Sequence, residues 1–437
     1  MSARNRELFG LVPVAGLLIC GFASVFVVRG DEVENLSVIF GAYFFAICLA
    51  GHVFLRFRLP NADPYLFPLV ALLAAIGLVM LYRIDESLAR DQANWFVVGL
   101  ILFMATIVLL KDYHVLERYR YLIVMAGLFL LLLPRVPGIG SQVNGAYLGV
   151  DIGPLAFQPA ELGKIAVVIF LASYLREKRE VLVVGARRIA GVTLPPLKHL
   201  GPMLVVWGAA MVLLVFIRDL GSSLMFFGAF LALIYMATNR FSFVVIGTLM
   251  FLVGAWFFAS TIGHVGDRVD IWLDPYEDPD GTGFQVLQSM FAQADGGLFG
   301  RGIGESLLRP IEGEPPLIPE VQTDFIYALI VNELGLFGGC AVIVTYALIA
   351  ARGFKIATIA PDGFSKLLAA GLTAVFALQA FVIIGGVTRV IPLTGVTLPF
   401  VSYGGSSIIA NMILLALLLL ISDRARRPQS GPAEVGA

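Results

Sequence analysis

Three sets of ionisable residues stand where they cost energy, and each offers a chemistry. Glu161 and Lys164 lie three apart in an apolar run that Pro159 opens, so on a helix they share a face and can neutralise one another. A charge inside a bilayer costs roughly 2.5–3.5 kcal/mol on insertion scales, so the pair either ties helices together or lines a hydrophilic cavity. Asp219 follows Arg218 and begins the run Leu220-Gly221-Ser222-Ser223, where a carboxylate suits a helix N-terminus and capping alone would explain it. Asp324 holds the same place in Gln322-Thr323-Asp324-Phe325-Ile326-Tyr327, with Glu333 deeper in the run. It too can cap; at the lip of an outward cavity it can instead act as a general base on a substrate from the outer leaflet.

The elements that must position these groups are membrane helices. Of 437 residues, 59% are hydrophobic and 14% charged, against about 25% charged in soluble proteins. This excludes a soluble enzyme, a nucleic-acid binder and a disordered tail protein. Apolar runs of spanning length fall near 9–28, 37–55, 65–82, 95–110, 119–134, 160–175, 202–217, 220–238, 243–262, 325–351, 367–387 and 397–421, which predicts twelve transmembrane helices. Runs such as Leu128-Phe129-Leu130-Leu131-Leu132-Leu133 are apolar on every face, which excludes a barrel of alternating strands. With the N-terminus inside, most of the 30 Lys and Arg residues fall in cytoplasmic segments, Arg56, Arg58, Arg176, Lys178, Arg352 and Arg424 among them. Both termini are therefore expected in the cytoplasm, with 423–437 as a cytoplasmic tail.

Two outer loops are long. The first, 135–159, is rich in Gly and Pro. The second, 263–324, is strongly acidic, yet between its glycines it carries Phe284, Leu287, Met290, Phe291, Leu298 and Phe299. That content predicts a loop packed on the membrane surface or dipping into it. After Leu393-Thr394-Gly395, the stretch Pro399-Phe400-Val401-Ser402-Tyr403-Gly404-Gly405-Ser406-Ser407 breaks an apolar run. Broken helices at membrane depth line a cavity or are buried in protein, so this stretch is expected to face the same site as Asp324, although close helix packing would also use small residues.

Other chemistries lack their signatures. Cys20, Cys48 and Cys340 form no CxxC pair, and His52, His114, His199 and His264 are scattered, so neither a disulfide framework nor a zinc site is suggested. No phosphate-binding loop, nucleophile elbow or HExxH is present.

The chain resembles the SEDS family of cell-wall glycosyltransferases, the RodA, FtsW and SpoVE-like proteins, across nearly all of 65–422. The motifs that carry the likeness are Phe157-Gln158-Pro159-Ala160-Glu161-Leu162-Gly163-Lys164, Asp219-Leu220-Gly221, Asp278-Pro279 through Gly283-Phe284-Gln285 with Gln288-Ser289, Gly296-Gly297 through Gly302-Ile303-Gly304, Thr323-Asp324-Phe325-Ile326, and Pro399 to Ser407. The stretch Gly385-Gly386-Val387-Thr388-Arg389 through Pro392-Leu393-Thr394-Gly395 is similar to the longer RodA-type members. The implied fold is all-α and polytopic, a ten-helix core over 61–422 preceded by two extra helices within 1–60, with the large outer loop before the tenth of the twelve helices.

The implied activity is polymerisation of lipid II into glycan strands at the outer face of the bacterial cytoplasmic membrane, in elongation or division. The resemblance places the essential aspartate on Asp324 and the intramembrane pair on Glu161 and Lys164. Asp219, Arg218, Arg268, Gln285, Gln288, Thr323, Arg389, Ser402, Tyr403 and Ser406 are candidate substrate-binding or cavity residues. A GlcNAc 4-hydroxyl must lose a proton as it attacks the MurNAc anomeric carbon, and one carboxylate suffices because pyrophosphate leaves unprotonated. The leaving group calls for positive charge, with a divalent cation (Mg or Mn) left open. Relatives commonly carry Gln-Pro where this chain has Ile217-Arg218 and a basic residue in place of Ala156, so the resemblance carries over the acid/base assignment and not the arrangement of cations around the pyrophosphate. The implied partners are a class B penicillin-binding transpeptidase and the elongation or division complex, with no nucleic acid. The competing class is a flippase for lipid-linked precursors, which shares the spans, the charged pair and the broken helices.

Overall fold

The computed structural model describes residues 2–29, 36–143, 146–152, 155–184, 187–189, 192–194, 197–216, 219–261, 263–306 and 318–427. Arg218 lies outside them. The chain is a bundle of helices. The first four are α1 (Ala3–Arg29), α2 (Leu36–Arg58), α3 (Leu66–Ile84) and α4 (Glu86–Leu109), followed by the short α5 (Val115–Arg118) and by α6 (Arg120–Leu132). Then come α7 (Pro159–Val184), α8 (Leu197–Phe216), α9 (Leu220–Thr238), α10 (Phe241–Thr261), α11 (Gly263–Leu273) and α12 (Phe284–Gly296). The last three are α13 (Ile326–Ile359), α14 (Gly363–Val387) and α15 (Gly405–Ala425).

Each of the twelve expected spans falls on a helix, and among the described residues nine of these helices are long and apolar enough to cross a membrane. The others are α6, of 13 residues, α7, which carries the charged pair, and α8. Helices α3, α14 and α15 are largely buried and form the centre of the bundle, whereas α10 buries no residue and lies at the periphery.

The ends differ from expectation where polar residues extend a helix beyond the apolar run. Helix α4 starts at Glu86, well before residue 95, because Asp85 accepts a hydrogen bond from the Ser87 N–H (2.6 Å) and caps a polar first turn. Helix α7 continues past 175 through exposed Arg176, Glu177 and Arg179 to Val184. Two small sheets interrupt the all-α pattern. In the loop between α6 and α7, β1 (Gly140–Val143), β2 (Ala146–Ile152) and β3 (Leu155–Phe157) pair antiparallel in that order, and β4 (Arg187–Ile189) pairs with β5 (Val192–Leu194) between α7 and α8.

Part of the 263–324 loop packs against a break in α13; of the apolar residues named from sequence Leu287 is buried there, whereas Phe291, Leu298 and Phe299 are exposed. At 34 residues α13 exceeds the roughly 20 that a bilayer needs, and at Gly335 (φ 69°, ψ −173°) its backbone leaves the helix. The freed groups are taken by the glycine-rich segment after α12. Arg301 and Gly302 N–H groups donate to the Asn332 and Glu333 carbonyls (2.9 and 3.0 Å), and Leu336 and Phe337 N–H groups donate to Gly297 and Leu298 (2.9 and 3.2 Å). A side chain on Gly300 (φ +84°) would lie 2.1 Å from the Glu333 carbonyl oxygen, so only glycine admits this approach. The buried Arg83–Glu333 pair (3.1 Å) fastens the same segment, since Arg83 also donates to Ser306 O (2.9 Å) and Glu333 accepts from Gly304 N–H (3.1 Å).

The opposite end of the bundle is held by a second polar network. Glu7 is bonded to Arg4 (2.5 Å) and His52 (2.7 Å), and Asp63 accepts from Arg352 and Arg426 (both 2.5 Å). His52 is thus a partner in a structural cluster, and the three cysteines are free.

Candidate active site

The loop between α14 and α15, residues 388–404, joins the sequence motifs into one site at the end of the bundle where α13 begins. Its turn at Leu398–Ser402 is closed by the Leu398 N–H on Ser402 Oγ (2.9 Å), and that hydroxyl donates to Thr323 O (2.6 Å). Tyr403 N–H donates to Gln322 O (2.9 Å), so the loop is laid against the residues just before Asp324. Gln92 of α4 bonds both Ser402 O (2.9 Å) and Gly404 N–H (3.2 Å), Tyr346 donates to Pro399 O (2.6 Å), and Ser406 Oγ accepts from Gln158 N–H (2.8 Å). Ser402, Tyr403 and Ser406 therefore shape the site by holding backbone. Residues 397–404 are not helical, and α15 starts only at Gly405.

Asp324 sits two residues before α13 and does not cap it: Phe325 is the cap residue, with no side-chain hydrogen bond. The two acids that looked alike in sequence thus differ, for Asp219 does cap α9, accepting from Ser222 N–H (2.9 Å). The Asp324 carboxyl faces Gly395 (φ +68°) and Arg268 of α11. Its Oδ2 and the Arg268 Nη2 lie 3.5 and 3.8 Å from the position a side chain on Gly395 would take. Burial, reinforced by neighbouring Glu320, raises the Asp324 carboxyl to about 6, against the opposing pull of Arg268 and the Thr323 hydroxyl. Thr323 itself donates to Glu320 O (3.1 Å) and Oε2 (3.3 Å).

Arg268 is fixed by donating to Leu393 O (3.1 Å) and, among the described residues, makes no close ion pair. It faces a second acid as well. Burial, with Glu161 nearby, raises the Asp219 carboxyl, and Arg268 opposes the rise. The second oxygen of Asp219 is buried without a hydrogen-bond partner.

Glu161 and Lys164 of α7 pair at 2.5 Å, fully buried, and Gln379 of α14 completes the cluster: it accepts from Lys164 Nζ (2.6 Å) and donates to Glu161 (3.3 Å) and to Thr397 O (3.0 Å). The pair is thereby tied to the 388–404 loop. Sequence reasoning missed Gln379 and Glu320; the signal for Gln379 was an amide in an otherwise apolar span.

Arg389 points elsewhere. It donates to the carbonyls of Trp272 (2.8 Å) and Leu273 (2.6 Å), binding the C-terminal end of α11. Gln285 and Gln288 share a face of α12 and are half-buried. The Asp278 motif is a turn, in which Oδ2 accepts from Thr282 N–H (2.8 Å) and Oγ1 (3.1 Å). Glu320 (φ 57°), Arg389 (φ 60°) and Phe400 (φ 66°) hold left-handed backbone in the segments around Asp324, strain of the kind that gathers at functional sites. Among the described residues no three His, Cys, Asp or Glu side chains converge as a metal site.

The family model of the FtsW, RodA and SpoVE proteins, described as "Cell cycle protein", matches residues 64–427. The chain belongs to this family. Helices α1 and α2 lie before the matched residues. The chain is 40% identical to the peptidoglycan glycosyltransferase RodA of Mycobacterium tuberculosis over 441 residues, 98% of this chain and 92% of that protein. It is 32% identical to the stage V sporulation protein E of Bacillus subtilis, over 84% of this chain and 98% of that one. Among solved structures, a chain of a peptidoglycan synthase complex that coordinates polymerization and crosslinking superposes with a TM-score of 0.66 at 29% identity, over 84% of this chain and 98% of that chain. The rod shape determining protein RodA of Thermus thermophilus gives 0.58 at 27%, with the same coverage.

Proposed function

We propose that this family member is a peptidoglycan glycosyltransferase that polymerises lipid II, with Asp324 as general base. The observation that carries the reading is a carboxyl at the mouth of α13, raised to about 6, unused as a cap and set beside an arginine that has no close ion-pair partner among the described residues. Asp324 accepts the proton of the GlcNAc 4-hydroxyl while the oxygen bonds the MurNAc anomeric carbon with inversion. The bond to undecaprenyl pyrophosphate breaks, and the leaving group departs as the anion. Of the cations named from sequence, Arg268 is best suited to receive that charge, because Lys164 is neutralised by Glu161 and Arg389 is bound to carbonyls.

The site faces outward, with both termini in the cytoplasm of a bacterial cell, on the strength of the basic residues at the opposite end of the bundle. A class B penicillin-binding transpeptidase is the proposed partner, consistent with the complex that the related solved structure describes. Fluorescent lipid II supplied to the purified chain, alone and with such a partner, tests the reading. Glycan polymer is expected. If no polymer forms under either condition and labelled lipid instead crosses proteoliposome bilayers, the protein is a transporter.

A further inference from the structure

A cavity of about 300 Å³ lies between α1, α2, α3 and α4, apart from the site of Asp324. Its walls are apolar: Leu18 and Phe22 from α1, Phe40 and Phe44 from α2, Leu78 from α3 and Phe96 from α4. They are packed walls and not the sides of a loose gap, for Phe22 meets Tyr82 edge-on at 5.0 Å and Phe44 meets Phe96 at 5.3 Å. Space is left where α4 contributes the small side chains of Ala89 and Ala93, between Phe96 and the polar Glu86, Arg90 and Asn94. A helix with its side chains is about 10–12 Å across, so the cavity admits a hydrocarbon chain but not a partner helix.

The charged groups that line the cavity all stand on α4. Glu86, Arg90 and Asn94 follow at successive turns from the start of α4. Glu86 Oε1 and Arg90 Nη2 stand 3.7 Å apart and both are well exposed, a loose pair that a headgroup can enter. A rim with one carboxylate and one guanidinium complements a headgroup that carries both an ammonium and a phosphate, whereas a purely anionic headgroup would meet Glu86. The mouth opens at the end of the bundle that holds Asp324, since Arg83, just before α4, donates to Ser306 O in the outer loop.

We propose that this cavity binds one chain of a zwitterionic phospholipid, with phosphate on Arg90 and ammonium on Glu86, and that the lipid wedges the two N-terminal helices against the rest of the bundle. The inference is independent of the reaction proposed for Asp324.

The test uses the full chain in nanodiscs of phosphatidylethanolamine and phosphatidylglycerol, with a trace of either lipid carrying a photoactivatable acyl chain, and labelled peptides mapped after illumination. Phosphatidylethanolamine should label α2 and α4, and Ala93→Trp, which fills the cavity, should cut that labelling about tenfold, the effect of denying the chain two or so buried methylenes. The double variant Glu86→Gln/Arg90→Gln, at exposed positions that leave the packing alone, should erase the preference over phosphatidylglycerol. Equal labelling by the two lipids in the unaltered protein, or undiminished labelling of monodisperse Ala93→Trp, overturns the proposal.

Discussion

Asp324 and Arg268 meet across Gly395: the carboxylate Oδ2 and the guanidinium Nη2 lie 3.5 and 3.8 Å from the place a side chain on that glycine would occupy. The two come from elements 56 positions apart in the chain, α11 and the approach to α13, and a third element, the 388–404 loop, sets their spacing through Leu393 and Gly395. A carboxylate and a cation so placed, without closing into a direct bridge, leave room for a hydroxyl to be deprotonated and a pyrophosphate to be received.

The pH dependence follows from the raised carboxyl. A base must be ionised, so turnover of lipid II should fall as pH drops through about 6, by about tenfold per unit below it. Glu320 raises the Asp324 carboxyl and Arg268 lowers it, so Glu320→Gln should move the acid limb to lower pH and Arg268→Gln should move it to higher pH, with a loss of rate. Initial rates of polymer formation between pH 4.5 and 8 check both signs; limbs that stay in place would separate this carboxyl from the observed titration.

The buried Glu161–Lys164 pair should be far costlier to halve than to remove. Lys164→Met leaves an uncompensated carboxylate in the bundle and should destabilise by about 3–5 kcal/mol, whereas Glu161→Gln/Lys164→Met should recover most of that loss. Thermal unfolding in detergent measures the difference. A double variant that folds and still polymerises lipid II at the full rate would make the pair purely structural.

The broken helix makes a separate prediction. Gly300→Ala would place a carbon 2.1 Å from the Glu333 carbonyl in left-handed backbone and should lower stability by about 2 kcal/mol or more. Limited proteolysis should then cut first in the segment from Gly297 to Ser306, since that segment fills the break in α13. Wild-type resistance in this variant would contradict the account of how the break is satisfied.

Much of this architecture was legible in the sequence because lipid leaves few choices: apolar length alone located a helix for each of the twelve expected spans, nine of them of spanning length among the described residues. Asp324 and Asp219 were equally legible as acids at helix starts, but not distinguishable, since capping depends on backbone angles that composition does not encode. The sheet between α6 and α7 was hidden because Gly- and Pro-rich segments carry no alternation to read. Pairings across long separations were hidden for a different reason. Arg83 meets Glu333 and Gln379 meets Lys164 only once the helices pack, and nothing in either local pattern names its partner. Arg389 is a substrate-binding candidate from sequence because its charge is visible there and the carbonyls that receive it are not.

The most direct test of the central claim is polymerisation of lipid II by Asp324→Asn, which keeps the shape of the side chain and removes its capacity to accept a proton. The purified variant should match wild type in folding and substrate binding yet form glycan at least about a hundredfold more slowly, the usual contribution of a general base. Glycan formed at the wild-type rate would show that Asp324 is not the base.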